Sequence, residues 1–254
     1  MKISLIQTNL AWEDAAANRA HFTELIDSIT ETDLIVLPEM FSTGFSMNPQ
    51  AVAETMDGDT VTWMAATAKA KNAALTGSLV IEEDGKYYNR LFFVYPDGQI
   101  KTYNKRHLFT YADEDKFYAP GTEKLIVDYR GWKICPLVCY DLRFPVFSRN
   151  AEGYNVLLYV ANWPQVRTTA WDTLLRARAI ENLSYTIGVN RTGEDGNGHA
   201  YTGHSQAIDA LGNYILEPVE TEGVFTVELD KEALDATRKR FSFLDDRDEF
   251  EILD

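Results

Sequence analysis

Cys139 ends an apolar run, Trp132-Lys133-Ile134-Cys135-Pro136-Leu137-Val138. The residues after it, Tyr140-Asp141-Leu142-Arg143-Phe144-Pro145, turn polar and reach a proline. Such a run reads as a buried strand that breaks into a turn. A thiol at that point is where an α/β fold presents a nucleophile to a cleft. The thiolate is the reactive form, so the chain must also supply a base or a positive environment. Four histidines are present, His21, His107, His199 and His204. His21 falls in a helical pattern and reads as a surface residue. His107 or His204 could complete a Cys–His pair, against the ordinary structural use of a single histidine. The stretch Gly203-His204-Ser205-Gln206-Ala207 precedes a strand instead of following one, which argues against a serine elbow.

A carboxylate is the other candidate base. The apolar run Leu34-Ile35-Val36-Leu37-Pro38 ends on Glu39, flanked by Met40 and Phe41. A carboxyl buried there titrates closer to neutrality and can shuttle a proton. The plain alternative is a helix cap or a surface charge, which the apolar flanks disfavour. In Tyr103-Asn104-Lys105-Arg106-His107-Leu108-Phe109, Lys105 closes a strand and opens a long polar loop. A fixed ammonium there would hold an oxyanion and lower a neighbouring thiol's pKa, and a solvated lysine is the default against it.

These residues need elements to position them. Strands are predicted at 3–7, 34–37, 74–81, 87–95, 100–105, 125–129, 132–138, 156–160, 185–189, 206–210, 214–217 and 224–229. Helices are predicted at 14–29, with Phe22, Leu25, Ile26 and Ile29 on one face, and at 60–72, 145–151, 168–182 and 231–243. Asp84-Gly85, Asp97-Gly98 and Arg130-Gly131 mark hairpin turns. The glycine-rich stretch 193–198 lacks the strand-to-helix context of a phosphate loop. With βα units and hairpins interleaved, two mixed sheets packed face to face with helices outside satisfy the pattern best: an α-β-β-α sandwich.

Three strand ends that carry Glu, Lys and Cys in that order, in LPEMF, YNKRHLF and LVCYDLRFP, resemble the carbon–nitrogen hydrolase family, the nitrilase superfamily. The resemblance extends over nearly the whole chain and includes Ala161-Asn162-Trp163-Pro164 and the 176–182 helix segment. It implies a Glu39–Lys105–Cys139 triad and a second glutamate in the loop after the lysine. Glu114, seven residues before Gly121, fits that place, with Glu123 as the other candidate. Tyr140-Asp141-Leu142-Arg143 after the cysteine is similar to the ω-amidase branch, which acts on 2-oxoglutaramate and 2-oxosuccinamate. Arg143 could then pair bidentately with a substrate carboxylate, or brace the turn by pairing with Asp141 or another acid. Phe41, Tyr140, Asn162 and Trp163 are the further candidates for the substrate pocket. Another amidase, a nitrilase, a carbamoylase or a non-catalytic binding member are the alternatives. The resemblance also implies a homodimer or higher homo-oligomer, joined through residues 145–151, 168–182 and an aromatic tail at 241–254, unless that tail packs on its own core.

Length and composition bound the rest. The 254 residues suit one α/β domain, here residues 1–254. A net charge of −15 with no clustered basic patch argues against a nucleic-acid partner. The N-terminal apolar stretch is broken by Gln7, Thr8 and Asn9, unlike a secretory signal, and no apolar run nears the ~20 residues needed to span a bilayer. The only cysteines, Cys135 and Cys139, would lie roughly 13 Å apart along a strand, too far for a disulfide. A reduced cytoplasmic enzyme that needs neither metal nor cofactor is the expectation, taking a small amide substrate that bears a carboxylate.

Overall fold

The computed structural model describes residues 1–252. The strands are β1 (Lys2–Gln7), β2 (Leu34–Val36), β3 (Ala74–Glu83), β4 (Lys86–Val94), β5 (Ile100–Asn104), β6 (Val127–Tyr129), β7 (Trp132–Val138), β8 (Val156–Val160), β9 (Tyr185–Val189), β10 (Thr192–Glu194), β11 (Ala200–Thr202), β12 (Ser205–Ile208), β13 (Tyr214–Val219) and β14 (Gly223–Glu228). The helices are α1 (Ala15–Asp27), α2 (Pro49–Val52), α3 (Asp59–Lys71), α4 (Glu114–Phe117), α5 (Pro145–Ser148), α6 (Thr168–Asn182) and α7 (Lys231–Arg240). One sheet runs β14-β1-β2-β3-β4-β5 and the other β13-β12-β9-β8-β7-β6, with β10 and β11 a separate ribbon. The central strands are parallel and the flanking ones antiparallel, so both sheets are mixed as expected.

Side chains alternate across each strand, and the two faces bury against different layers. Leu34 and Val36 join Ile134, Val156, Leu158 and Ile187 in the core between the sheets. Ile35 and Leu37 instead meet Phe22 and Ile26 of α1 and Met64 of α3. Central strands buried on both faces explain why β2, β8 and β9 are apolar almost throughout. On the far side, Trp171, Leu175 and Ala179 of α6 cover β9.

Most expected elements are present, with differences at the ends. The helix begun by Pro145 stops at Ser148, three residues early, because Arg149 turns extended (ψ 134). The last helix stops at Arg240, short of the aromatic tail. Part of that tail, Asp246, Arg247, Asp248 and Phe250, lines a groove with Pro145, Val146, Arg149 and Glu181 of its own chain. Residues 253–254 of the expected tail lie outside the described residues. The glycine-rich stretch is the β10–β11 ribbon, and α2 and α4 are single turns too short to leave a periodic signal. Among the described residues, no helix is long and apolar enough to cross a membrane.

Candidate active site

Glu39, Lys105, Cys139 and Asn162 lie just past the carboxyl ends of β2, β5, β7 and β8. That is where α/β sheets gather ligand-binding residues. β2 ends at Val36, and the chain follows β3 for two further bonds, Leu37 N–H to Thr76 O (2.8 Å) and Phe41 N–H to Ser78 O (3.2 Å). Met40 takes a positive φ of 42°, so the backbone doubles back at the acid. This turn reverses an expectation. Phe41 points away from the pocket into the helix-covered face, edge-on to Phe22 (5.4 Å) and against Trp63 (5.9 Å). Phe45 and Met47 take its place in the pocket wall.

The acids and the lysine form one buried cluster. Lys105 Nζ donates to Glu39 Oε1 (2.9 Å) and to both oxygens of Glu114 (3.0 and 2.9 Å), and all three side chains are shut off from solvent. Glu114 stands on α4 and also accepts the Phe109 N–H, while Tyr118, one turn on, donates to Ser46 O. After α4 the chain returns to the end of β5, where Gly121 N–H meets Lys105 O (3.0 Å). A Cβ at Gly121 would lie 2.2 Å from Asn104 O, so the close approach requires glycine. Glu123 is exposed and outside the cluster.

Burial alone would lower the Lys105 pKa, but the carboxylates of Glu114 and Glu39 outweigh it and hold it above the ordinary lysine value. Burial raises the Glu114 carboxyl against the pull of Lys105, and Glu39 adds to the rise. The Cys139 thiol is pushed well up by burial and by the facing Glu39 carboxylate, with Lys105 opposing. The resting sulfur is therefore a thiol, one that would need a base to act as a nucleophile.

The turn at Cys139 is held from behind. Cys139 itself has φ 44°, a left-handed conformation costly for a residue with a side chain. Buried Asp141 accepts from Val138 N–H (2.9 Å), Tyr103 OH (2.8 Å), His107 N–H (3.1 Å) and His107 Nδ1 (2.8 Å). His107, stacked on Phe144 at 3.8 Å, thus serves the turn and makes no pair with the thiol. His204 pairs with Asp172 on α6, and His21 is a half-buried partner of Thr8 Oγ1 (2.7 Å). Neither Cys–His pair forms. Cys139 Sγ instead lies 3.8 Å from Asn162 O. Asn162 returns its N–H to Glu39 Oε2 (2.8 Å) and its side-chain amide to Glu39 O (2.6 Å). Asn190 brackets the next residue, Trp163, through both its N–H and its carbonyl.

Cys139, Lys105, Tyr140, Arg143, Asn162 and Trp163 share one cavity of about 390 Å³. Phe45, Met47, Phe109 and Tyr111 form an apolar wall, and Asp195, Asn197, His199 and Tyr201 of the β10–β11 ribbon face in as well. Arg143 lies over the Trp163 ring at 5.0 Å, and Arg167 over Phe109 at 5.2 Å. With Asp141 occupied by other donors, Arg143 has no ion pair among the described residues, so it does not brace the turn. Sequence reasoning missed Asn89, whose amide reaches both acids (2.8 and 3.3 Å), along with Arg167 and the ribbon residues. Nothing in Lys86–Val94 singled out Asn89, because Arg90 stands beside it and the apolar run begins only at Leu91.

The family model of the carbon-nitrogen hydrolases matches residues 2–239. The chain belongs to the carbon–nitrogen hydrolase family. This carbon–nitrogen hydrolase is 46% identical over 256 residues to Omega-amidase YafV of Yersinia enterocolitica, covering 100% of its own length and 99% of the relative's. It is 32% identical to the 2-oxoglutaramate amidase of Bacillus subtilis, with 96% of each chain covered. Its fold superimposes on XC1258 of Xanthomonas campestris with a TM-score of 0.97 at 44% identity, over 99% and 98% of the two chains. That structure is described as a CN-hydrolase superfamily protein with an arsenic adduct in the active site.

Proposed function

We propose that this carbon–nitrogen hydrolase is an ω-amidase, cleaving the terminal amide of 2-oxoglutaramate or 2-oxosuccinamate to acid and ammonia. The observation that carries this is Arg143, without an ion pair among the described residues and laid on Trp163 in the same cavity as Cys139. A guanidinium facing a pocket without a carboxylate partner is suited to a substrate carboxylate. The names of two relatives, an omega-amidase at 46% identity and a 2-oxoglutaramate amidase at 32%, support the same reading.

Glu39 takes the thiol proton as Cys139 Sγ attacks the amide carbon. The oxyanion is held by Lys105 Nζ and the Tyr140 N–H. Glu39 then gives its proton to the departing nitrogen, ammonia leaves, and the acyl group remains as a thioester on Cys139. Water, deprotonated by Glu39, attacks the thioester, and collapse releases the acid and restores the thiol. Glu114 keeps the Lys105 ammonium in place throughout. The whole chain acts as one hydrolase domain in the cytoplasm, and copies pair through the exposed apolar residues around α5 and α6, among them Val146 and Ile180.

Ammonia release from 2-oxoglutaramate, glutamine, neutral aliphatic amides and nitriles tests the assignment. Turnover is expected to favour 2-oxoglutaramate and to vanish in Cys139→Ala. Preference for neutral amides would move the assignment to a general amidase using the apolar wall. No turnover, and no acyl-Cys139 by mass spectrometry, would leave a binding protein.

A further inference from the structure

Glu39 holds its two oxygens in unequal surroundings. Oε1 accepts from Lys105 Nζ (2.9 Å) and from Asn89 Nδ2 (2.8 Å), while Oε2 accepts from the Asn162 N–H (2.8 Å). A carboxylate oxygen has two lone pairs, so Oε1 is filled and Oε2 has one site left. The same Asn89 nitrogen lies 3.3 Å from Glu114 Oε1. Both acids are acceptors when ionised, so the nitrogen of the amide, and not its oxygen, must face them. Asn89 Oδ1 is buried without a partner among the described residues. A lone buried acceptor weakens a fold, and here it accompanies a nitrogen that bridges two acids.

We propose that Asn89 is a positioning residue of the hydrolysis: it fills Glu39 Oε1 and ties Glu114 to it, so that Oε2 is the oxygen that takes the Cys139 proton. The proposal rests on Glu39 acting as the base. Asn89 is suited to the task because an amide donates without carrying charge. A second ammonium at this place would quench the base, and a third carboxylate would repel the other two. Its backbone also serves the site, since Asn89 O accepts the Lys105 N–H (2.9 Å). The titratable groups that face the amide and its partners are Glu39 after β2, Lys105 after β5, Glu114 and Tyr118 from the α4 segment, and Cys139 after β7.

Steady-state kinetics on 2-oxoglutaramate across pH, with Asn89→Asp, Asn89→Ser and Glu39→Gln, test this. Asn89→Asp preserves size, so a purely space-filling role predicts little change. We expect kcat at neutral pH to fall about 10- to 100-fold with KM nearly constant, and part of the rate to return on acidification as the new carboxyl is protonated. Asn89→Ser keeps one donor, so a smaller loss is expected, with the acid limb of kcat/KM moved to higher pH. Alkylation of Cys139 by iodoacetamide follows the same proton transfer without turnover, and Asn89→Asp should slow it. Thermal melts establish that each variant folds, and Asn89→Ser carries the test if Asn89→Asp does not. Wild-type kcat, pH profile and alkylation rate in folded Asn89 variants, beside an inactive Glu39→Gln, would overturn the proposal alone. An active Glu39→Gln would overturn the base assignment and the proposal together.

Discussion

Two cysteines four positions apart meet different fates because of what faces them. Cys135 is wholly buried on the helix-covered face of its sheet, and burial raises its thiol against the weaker pull of the Lys124 ammonium. Cys139 sits past the strand end against Glu39, Lys105 and the open cavity. Cys139→Ser should therefore lower kcat on the order of 10⁴- to 10⁶-fold with the melting temperature nearly unchanged. Cys135→Ala should keep kcat and cost about 1–2 kcal/mol of stability, read by urea unfolding. Peptide mapping after brief iodoacetamide treatment should find label on Cys139 alone. Arg143 supplies the second prediction at this scale. Arg143→Met should raise KM for 2-oxoglutaramate about 10- to 100-fold and leave KM for butanamide unaltered. An equal effect on both substrates would count against carboxylate recognition. Glu39, Lys105 and Cys139 were legible because each follows a strand, largely apolar before Glu39 and Cys139 and mixed before Lys105. Phe41 was misread because the positive φ at Met40 sends its ring to the other face, which no residue type there announces.

The element that matters most is the turn after β7. Its left-handed Cys139 is kept by Asp141, which gathers donors from β7, from Tyr103 on β5 and from His107 in the loop beyond. Asp141→Ala would leave those buried donors without an acceptor. A loss of about 3 kcal/mol or more is expected in urea unfolding, together with a lower kcat, since the strained φ at the nucleophile is no longer over-determined. Retained stability would show that the turn holds itself. The long helix α6 and its strand β9 were readable to the residue, because a 15-residue helix carries several periods of its apolar stripe. The three-residue strands of the β10–β11 ribbon were not. Their pairing is set by contact with Asn9 and by the Asp195 carboxylate, which accepts from Asn197 N–H, His199 N–H and Tyr201 OH.

Across the molecule, the core is rich in buried phenols. Tyr103, Tyr118, Tyr154, Tyr159 and Tyr201 all titrate well above the ordinary tyrosine value, in each case chiefly because burial disfavours the charged form. Above the unfolded tyrosine pKa of about 10, the unfolded chain sheds phenolic protons that the native state keeps. The contribution of these groups is whole below that pH and falls as pH rises beyond it. Scanning calorimetry should find a melting temperature insensitive to them from pH 7 to 9 and dropping steeply above about pH 10. A flat curve to pH 11 would mean that the phenols reach solvent.

The sequence by itself determined the mixed two-sheet architecture, the order of the Glu, Lys and Cys strand ends, and the family. Period-2 burial and turn residues are local properties written in neighbouring positions. Only the tertiary structure decided that Glu39, Lys105 and Glu114 close into one solvent-shielded cluster, that Asn89 joins it, that His107 serves Asp141, and that Arg143 lies on Trp163 in the cavity with no ion pair among the described residues. Those facts depend on how strands distant in sequence lie side by side and on which way each turn throws its side chain. Alternation along one strand records that a face is buried, but not which distant residue lies against it.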